Sequence, residues 1–254
     1  NMVSLNEKIL LLLYLTMEEW DSGLEELAHP HRFFYSSFAR RYKEKSIRQR
    51  LWELQARGVI RRLRKEGEER FQITAAGKKE VTDSVPILKY RREWDGLWRL
   101  AIFDIEEGSH HVRDKLRRKI QSLGFCLWQR SIYLTPFNVA RDLNDYLERE
   151  SLKGPVEILE ARRLFSNDEK ILAEKIWHLS KLNGQYLVLE AEWEEAKVKS
   201  TRDLELLKRL AAIAQEKYLT LFATDPGLPK ELLPDDWAGD KVQRHLRDWI
   251  SLQG

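Results

Sequence analysis

Between Arg40 and Lys65 the chain carries eleven Lys or Arg and two acids, Glu44 and Glu53, a local charge of +9 in a protein of net charge +3. The other residues therefore sum to about −6. Within this stretch a helix pattern, Ser46 to Gly58, runs directly into a strand–turn–strand pattern, Val59 to Thr74. A helix followed by a charged hairpin is the sequence form of a winged helix-turn-helix. Positive charge concentrated on such a unit predicts a polyanionic partner, because each phosphate neutralised releases counterions. The competing reading is a solvated basic face.

The helix pattern can be resolved residue by residue. At 100° per residue Ile47, Leu51 and Leu54 share one stripe, which must face a core. Arg48, Gln49 and Trp52 then point outward. Arg and Gln are the side chains that read guanine and adenine edges. Trp52 either belongs to that face or packs on a neighbouring helix. Ser46 is expected as N-cap and Gly58 as C-cap. Arg61, Arg62, Arg64, Lys65 and Arg70 on the hairpin suit phosphate or minor-groove contact, and Arg40, Arg41, Lys43 and Lys45 suit phosphate. Gly67 permits the hairpin turn.

The periodicity predicts an α+β protein of three units. Residues 2–84 form the winged helix-turn-helix. Its buried first helix covers roughly Asn6 to Met17, a second helical stretch lies between Leu24 and Tyr42, interrupted at His29-Pro30, and a closing helix runs from Ala75 to Asp83. Asp83 to Tyr90, with Pro86, is the linker. Residues 93–165 carry strand, helix, two strands, helix and strand, the βαββαβ order of a ferredoxin-like domain. Residues 166–254 read as mostly helical: Asp168–Leu179, Gln185–Lys197, Thr201–Phe222 and Lys241–Leu252, with a Pro-rich loop from Asp225 to Asp236. The apolar run Ile9 to Leu15 is too short to span a bilayer, so no membrane partner is expected.

Candidates for chemistry are few. The single cysteine, Cys126, excludes an intramolecular disulfide and fits a reducing cytoplasm. Asp104, at the end of the first strand of the central domain, is a candidate metal ligand; the alternative is a polar strand end. His110 and His111 are adjacent and point to different helix faces, which suits joint metal ligation poorly. No glycine-rich phosphate loop or serine elbow occurs. No cofactor and no metal are expected, and no enzymatic activity.

Several strings resemble the PaaX family of transcriptional repressors: Trp94 to Arg99, Phe103 to Ile105, Leu123 to Phe125, Tyr133 to Pro136, Trp177 to Leu179, and above all Asp225 to Gly239. The resemblance implies a homodimeric repressor that binds double-stranded operator DNA and is released by an acyl-CoA effector. It also implies a central domain similar to the small subunit of the CRISPR adaptation complex, a fold also described as a metal-dependent nuclease, with Asp104 at that subunit's acidic position. Two alternatives therefore stand beside the regulator: a divalent-metal nuclease acting through Asp104, and a non-enzymatic scaffold. The aromatics Trp177, Tyr186, Trp193, Tyr218, Phe222, Trp237 and Trp249 either enclose an apolar effector or build a helical core.

Overall fold

The computed structural model describes residues 3–18, 42–65, 68–89, 93–104, 110–152, 156–162 and 168–252. The helical stretch expected between Leu24 and Tyr42 lies outside them up to residue 41, as do the turn at Gly67 and Arg40 and Arg41. The side chains of Arg64, Lys65 and Arg70 also lie outside, although their strand positions are described. The chain divides into two compact units, residues 1–88, 181–225 and 236–254 in one and 89–180 and 226–235 in the other.

The first unit opens with α1 (Leu5–Glu18). Ser4 and Glu7 close a reciprocal capping box: the Ser4 amide donates to Glu7 Oε2 at 2.6 Å and the Glu7 amide to Ser4 Oγ at 3.2 Å. Ile9 to Leu13 and Leu15 are all buried, as expected of a helix covered on every side. Next comes α2 (Glu44–Ala56), with Ile47, Leu51 and Leu54 buried. The expected cap at Ser46 is wrong. Lys43 is the N-cap and has no side-chain cap, and its carbonyl already accepts from Ser46 N at 2.8 Å and Ile47 N at 3.2 Å. Ser46 therefore sits inside the first turn.

The C-terminal end follows expectation. Gly58 adopts φ +72°, its amide donates to Gln55 O at 2.9 Å, and Val59 N donates to Leu54 O at 3.2 Å. That pair of bonds is a Schellman motif, closed by the buried Val59 and Leu54. It turns the chain into the antiparallel hairpin of β1 (Ile60–Lys65) and β2 (Glu68–Ile73), registered from Ile60 opposite Ile73 to Lys65 opposite Glu68. Thr74 caps α3 (Ala75–Ser84) through Gly77 N. The expected linker contains a short helix, α4 (Pro86–Lys89), with Ile87 buried. Proline suits such a first helical position because its missing N–H would lack a partner there anyway.

The second unit holds β3 (Trp98–Phe103), α5 (His110–Ser122), β4 (Cys126–Gln129), β5 (Ile132–Thr135), α6 (Ala140–Arg149) and β6 (Val156–Ala161). Its four strands lie in the order β4-β5-β3-β6, each neighbouring pair antiparallel. This is the βαββαβ order read from the sequence, with β3 central. Leu116 and Ile120 of α5 and Leu143, Tyr146 and Leu147 of α6 are the buried helix positions. The helix α7 (Glu169–Trp177) begins at the cap Asp168 and ends where His178 turns left-handed, φ 53°. A 3₁₀ turn, Lys230–Leu232, belongs to the same unit.

The C-terminal helices are α8 (Leu179–Lys199), α9 (Leu204–Thr224) and α10 (Gly239–Ser251). The expected break before Gln185 does not occur; α8 runs through Asn183 and Gly184. Tyr186, Trp193, Tyr218, Phe222 and Trp249 form one buried cluster together with the leucines of α1 and with Ile47, Leu51 and Leu54 of α2. Trp237 packs at its margin, whereas Trp177 lies in the other unit, stacked on Trp98 at 6.2 Å. These aromatics serve as packing.

Candidate nucleic-acid interface

With Ile47, Leu51 and Leu54 turned inward, α2 presents Lys45, Arg48, Gln49 and Trp52 outward, all exposed. Trp52 is 70% exposed, so of its two readings the packed one is not what the structure shows. Lys43 is exposed just before the helix, and Ser46 is half-buried. The exposed Arg61 and Arg62 extend the basic surface along β1. A register that pairs Leu63 with Arg70 and Arg64 with Glu69 puts further cationic residues on the same two strands.

Much of this charge is ordered within the surface. Arg48 meets Glu44 at 2.5 Å, one helical turn away, with both side chains about three-quarters exposed. Gln49 donates to Glu53 at 3.1 Å and Arg50 to the same carboxylate at 2.6 Å. The Arg50 hydrogen bond holds the Glu53 carboxyl below its ordinary pKa. Arg61 donates twice to Gln72 Oε1 across the hairpin, at 2.8 and 2.6 Å. Exposed pairs of this kind hold little free energy and can be exchanged for phosphate at small cost. The i,i+4 spacing of Glu44–Arg48 and Gln49–Glu53 was visible in the sequence. The contact of Arg57 Nη2 with both carboxylate oxygens of Glu80 of α3, each at 2.6 Å, was not.

Asp104 belongs to the other unit. It is exposed, one residue past the end of β3, and borders an open hollow with Arg130 and Glu157. Among the described residues no group of three or more His, Cys, Asp or Glu is arranged to hold a metal ion. His110 and His111 are both exposed at the start of α5.

The central motif has a different role. Arg99 is buried on β3, and its guanidinium meets Asp95 at 2.5 and 2.8 Å and Glu160 of β6 at 3.1 Å. Trp98 stacks on Trp177, meets Trp94 edge-on at 5.4 Å and donates its indole N–H to Glu169 at 3.0 Å. Trp94 to Arg99 is thus an internal clamp of the second unit.

The chain joins a basic helix and hairpin to a four-stranded βαββαβ domain and a helical C-terminal part, and its family matches are those of a transcriptional regulator. Residues 91–173 match the family model described as PaaX protein central Cas2-like domain, and residues 177–251 the one described as PaaX-like protein C-terminal domain. Together these matches span well over half of the chain, which belongs to the PaaX family. Among solved structures it is similar to the uncharacterized protein Rv0674 from Mycobacterium tuberculosis, at 20% identity and a TM-score of 0.55, over 84% of this chain and 82% of that one. At that identity the likeness is one of fold. No curated protein matches. Among the described residues no helix is long and apolar enough to cross a membrane.

Proposed function

We propose that this protein is a sequence-specific DNA-binding repressor whose N-terminal part, residues 2–84, is a winged helix-turn-helix. The observation that carries the reading is the outward row Arg48, Gln49 and Trp52 on α2 beside Arg61 and Arg62 on β1. The row joins side chains that read base edges to side chains that grip phosphate. In this reading Arg40, Arg41, Lys43, Lys45, Arg64, Lys65 and Arg70 add phosphate contacts. Residues 93–165 pair two copies, since a two-fold dimer reads inverted half-sites and one winged helix reads few base pairs. Residues 166–254 complete the regulator, and an acyl-CoA effector is the ligand class that the family resemblance implies.

A mobility-shift assay with fragments from around the protein's own gene, in the presence of a chelator, tests the reading. A saturable, salt-sensitive shift supports it. The absence of any shift at moderate salt defeats it and leaves the scaffold. Divalent-metal-dependent cleavage, lost in Asp104→Asn, would establish the nuclease instead.

A further inference from the structure

One carboxylate oxygen joins three parts of the first unit that are far apart in sequence. Glu216 on α9 accepts on Oε1 from Lys8 Nζ of α1 at 3.0 Å and from the Tyr42 hydroxyl at 2.5 Å. Lys8 and Glu216 are 13% and 18% exposed at their side chains, so this pair is largely screened from water, unlike the ion pairs on α2. Tyr42 packs its ring on the shared core and stands immediately before Lys43, whose carbonyl receives the first amides of α2. The anchored residue and the start of α2 are therefore contiguous, and no freely rotating segment separates them.

We propose that Glu216 is a positioning residue for DNA binding: from the C-terminal helices it fixes Tyr42 and Lys8, and so sets where α2 and its basic row are held. The proposal rests on the DNA-binding reading above and adds the means by which the C-terminal part governs it. Such an anchor pre-organises the binding surface, and pre-organisation strengthens binding by removing the ordering cost from the association step. It also adds a polar joint, beside the shared apolar core, through which a change in the C-terminal helices would reach the DNA-binding surface.

The charge of Glu216 gives the test its sign. Removing an acid from a protein that binds a polyanion should tighten binding if charge alone mattered. Loss of an anchor should weaken it. The number of phosphates met would stay the same, so the salt slope would stay the same.

The experiment uses the full chain and mixed-sequence duplex DNA, read by fluorescence anisotropy over a salt series, with thermal midpoints beside it. Glu216→Gln and Tyr42→Phe should each weaken binding about tenfold, the order expected for one hydrogen bond to a charged group. The salt slope should match the parent's, and the double variant should be no weaker than Glu216→Gln alone. Parent-like or tighter binding by both single variants overturns the proposal while leaving the DNA-binding reading intact. If Glu216→Gln does not fold, Tyr42→Phe, which removes one hydroxyl, decides alone. If the parent binds no duplex, the DNA-binding reading fails and amide exchange decides the anchor. Faster exchange in the first turn of α2 in both variants, with α6 unchanged, supports it; unchanged exchange in α2 overturns it.

Discussion

Asp95 and Arg99 are joined by two hydrogen bonds, 2.5 Å from Nη2 and 2.8 Å from Nη1, and the two residues differ sharply in exposure: the Arg99 side chain is 2% exposed and that of Asp95 44%. A buried guanidinium is thus neutralised by a carboxylate that keeps contact with water. Glu160 and the carbonyls of Leu97 and Pro136 are further partners among the described residues. Geometry of this kind fixes the start of β3 against β6 and the end of β5.

Asp95→Asn should destabilise the protein by about 1–3 kcal/mol at neutral pH, the range for a charge-assisted hydrogen bond to a buried partner. Glu160 should keep the loss at the lower end. The hydrogen bond from Arg99 holds the Asp95 carboxyl below its ordinary value of 3.8. A lowered native pKa means the stabilisation is fully present above the unfolded value and disappears as pH falls through the native one. Urea melts of parent and variant should differ at pH 7 and converge in strong acid. A difference that persists unchanged there would show that the carboxylate is not the source.

Two glycines give a contrast between conformation and space. Gly58 holds φ +72° with nothing within 4 Å of an added Cβ, so Gly58→Ala should cost only the left-handed strain, about 1 kcal/mol. A Cβ on Gly77 would lie 2.1 Å from the Val59 carbonyl oxygen. That oxygen is backbone, already accepts from Thr74 N, and cannot swing away. Gly77→Ala should therefore cost well over 3 kcal/mol, in the range reserved for named steric failures. Thermal melts of the two variants should differ widely, and near-equal midpoints would contradict the packing of α3 under the hairpin.

The sequence made legible what local periodicity encodes. The inward stripe Ile47, Leu51 and Leu54, the left-handed Gly58 and the βαββαβ order all follow from spacing and turn chemistry. Ser46 misled because serine is a good cap wherever a helix begins, and nothing local marked Lys43 as the earlier start. The uninterrupted α8 differs from the expected start at Gln185, because the helix runs through Asn183 and Gly184, and the Asn183 side-chain amide is taken up by partners more than fifty residues away. Least legible was the company of α1 and α2. Their apolar faces share a core with α8, α9 and α10, and no pattern announces that Lys8 will meet Glu216. For the candidate interface, residue types and outward directions were readable. The internal partners that Arg48 and Arg61 must exchange for DNA were readable only where they fall one helical turn away.

Those partners shape the binding prediction. Arg62→Ala should weaken binding to every duplex and reduce the salt slope by about one unit for a lost phosphate contact. Arg48→Ala or Gln49→Ala should instead relax preference at one base pair, by about 1–3 kcal/mol. Because Glu44 occupies the Arg48 guanidinium, Glu44→Gln should tighten binding to unrelated sequence. Trp52→Ser should leave the melt within about 0.5 kcal/mol of the parent, as for an exposed site away from the core. Anisotropy titrations over several salt concentrations read the four binding variants, and thermal melts read Trp52→Ser. An unchanged slope in Arg62→Ala would move the phosphate contacts elsewhere.

Asn183 offers the sharpest test of the C-terminal helices. Its side chain is buried, and every polar atom of it is used. Oδ1 accepts from Ala238 N at 2.8 Å, and Nδ2 donates to the carbonyl and the carboxylate of Asp236 at 3.3 and 3.2 Å. Ala238 in turn offers its carbonyl to Lys241 N and Val242 N, so Asn183 holds the residue on which α10 starts. Asn183→Ala would strand a buried amide and should cost about 2–3 kcal/mol. Asn183→Asp is the more informative change. It keeps an acceptor for Ala238 but turns the donor toward Asp236 into a second carboxylate oxygen, so two acids face each other. Repulsion of that kind is relieved by a proton, which raises the pKa of one of the pair. The aspartate variant should therefore be the less stable of the two at neutral pH and should recover on the parent as pH falls toward the carboxylate range, whereas the alanine deficit should stay constant. Melts of the three proteins between neutral and mildly acidic pH decide it, and an aspartate variant that tracks the alanine variant at every pH would place the Asp236 carboxylate out of reach of Asn183.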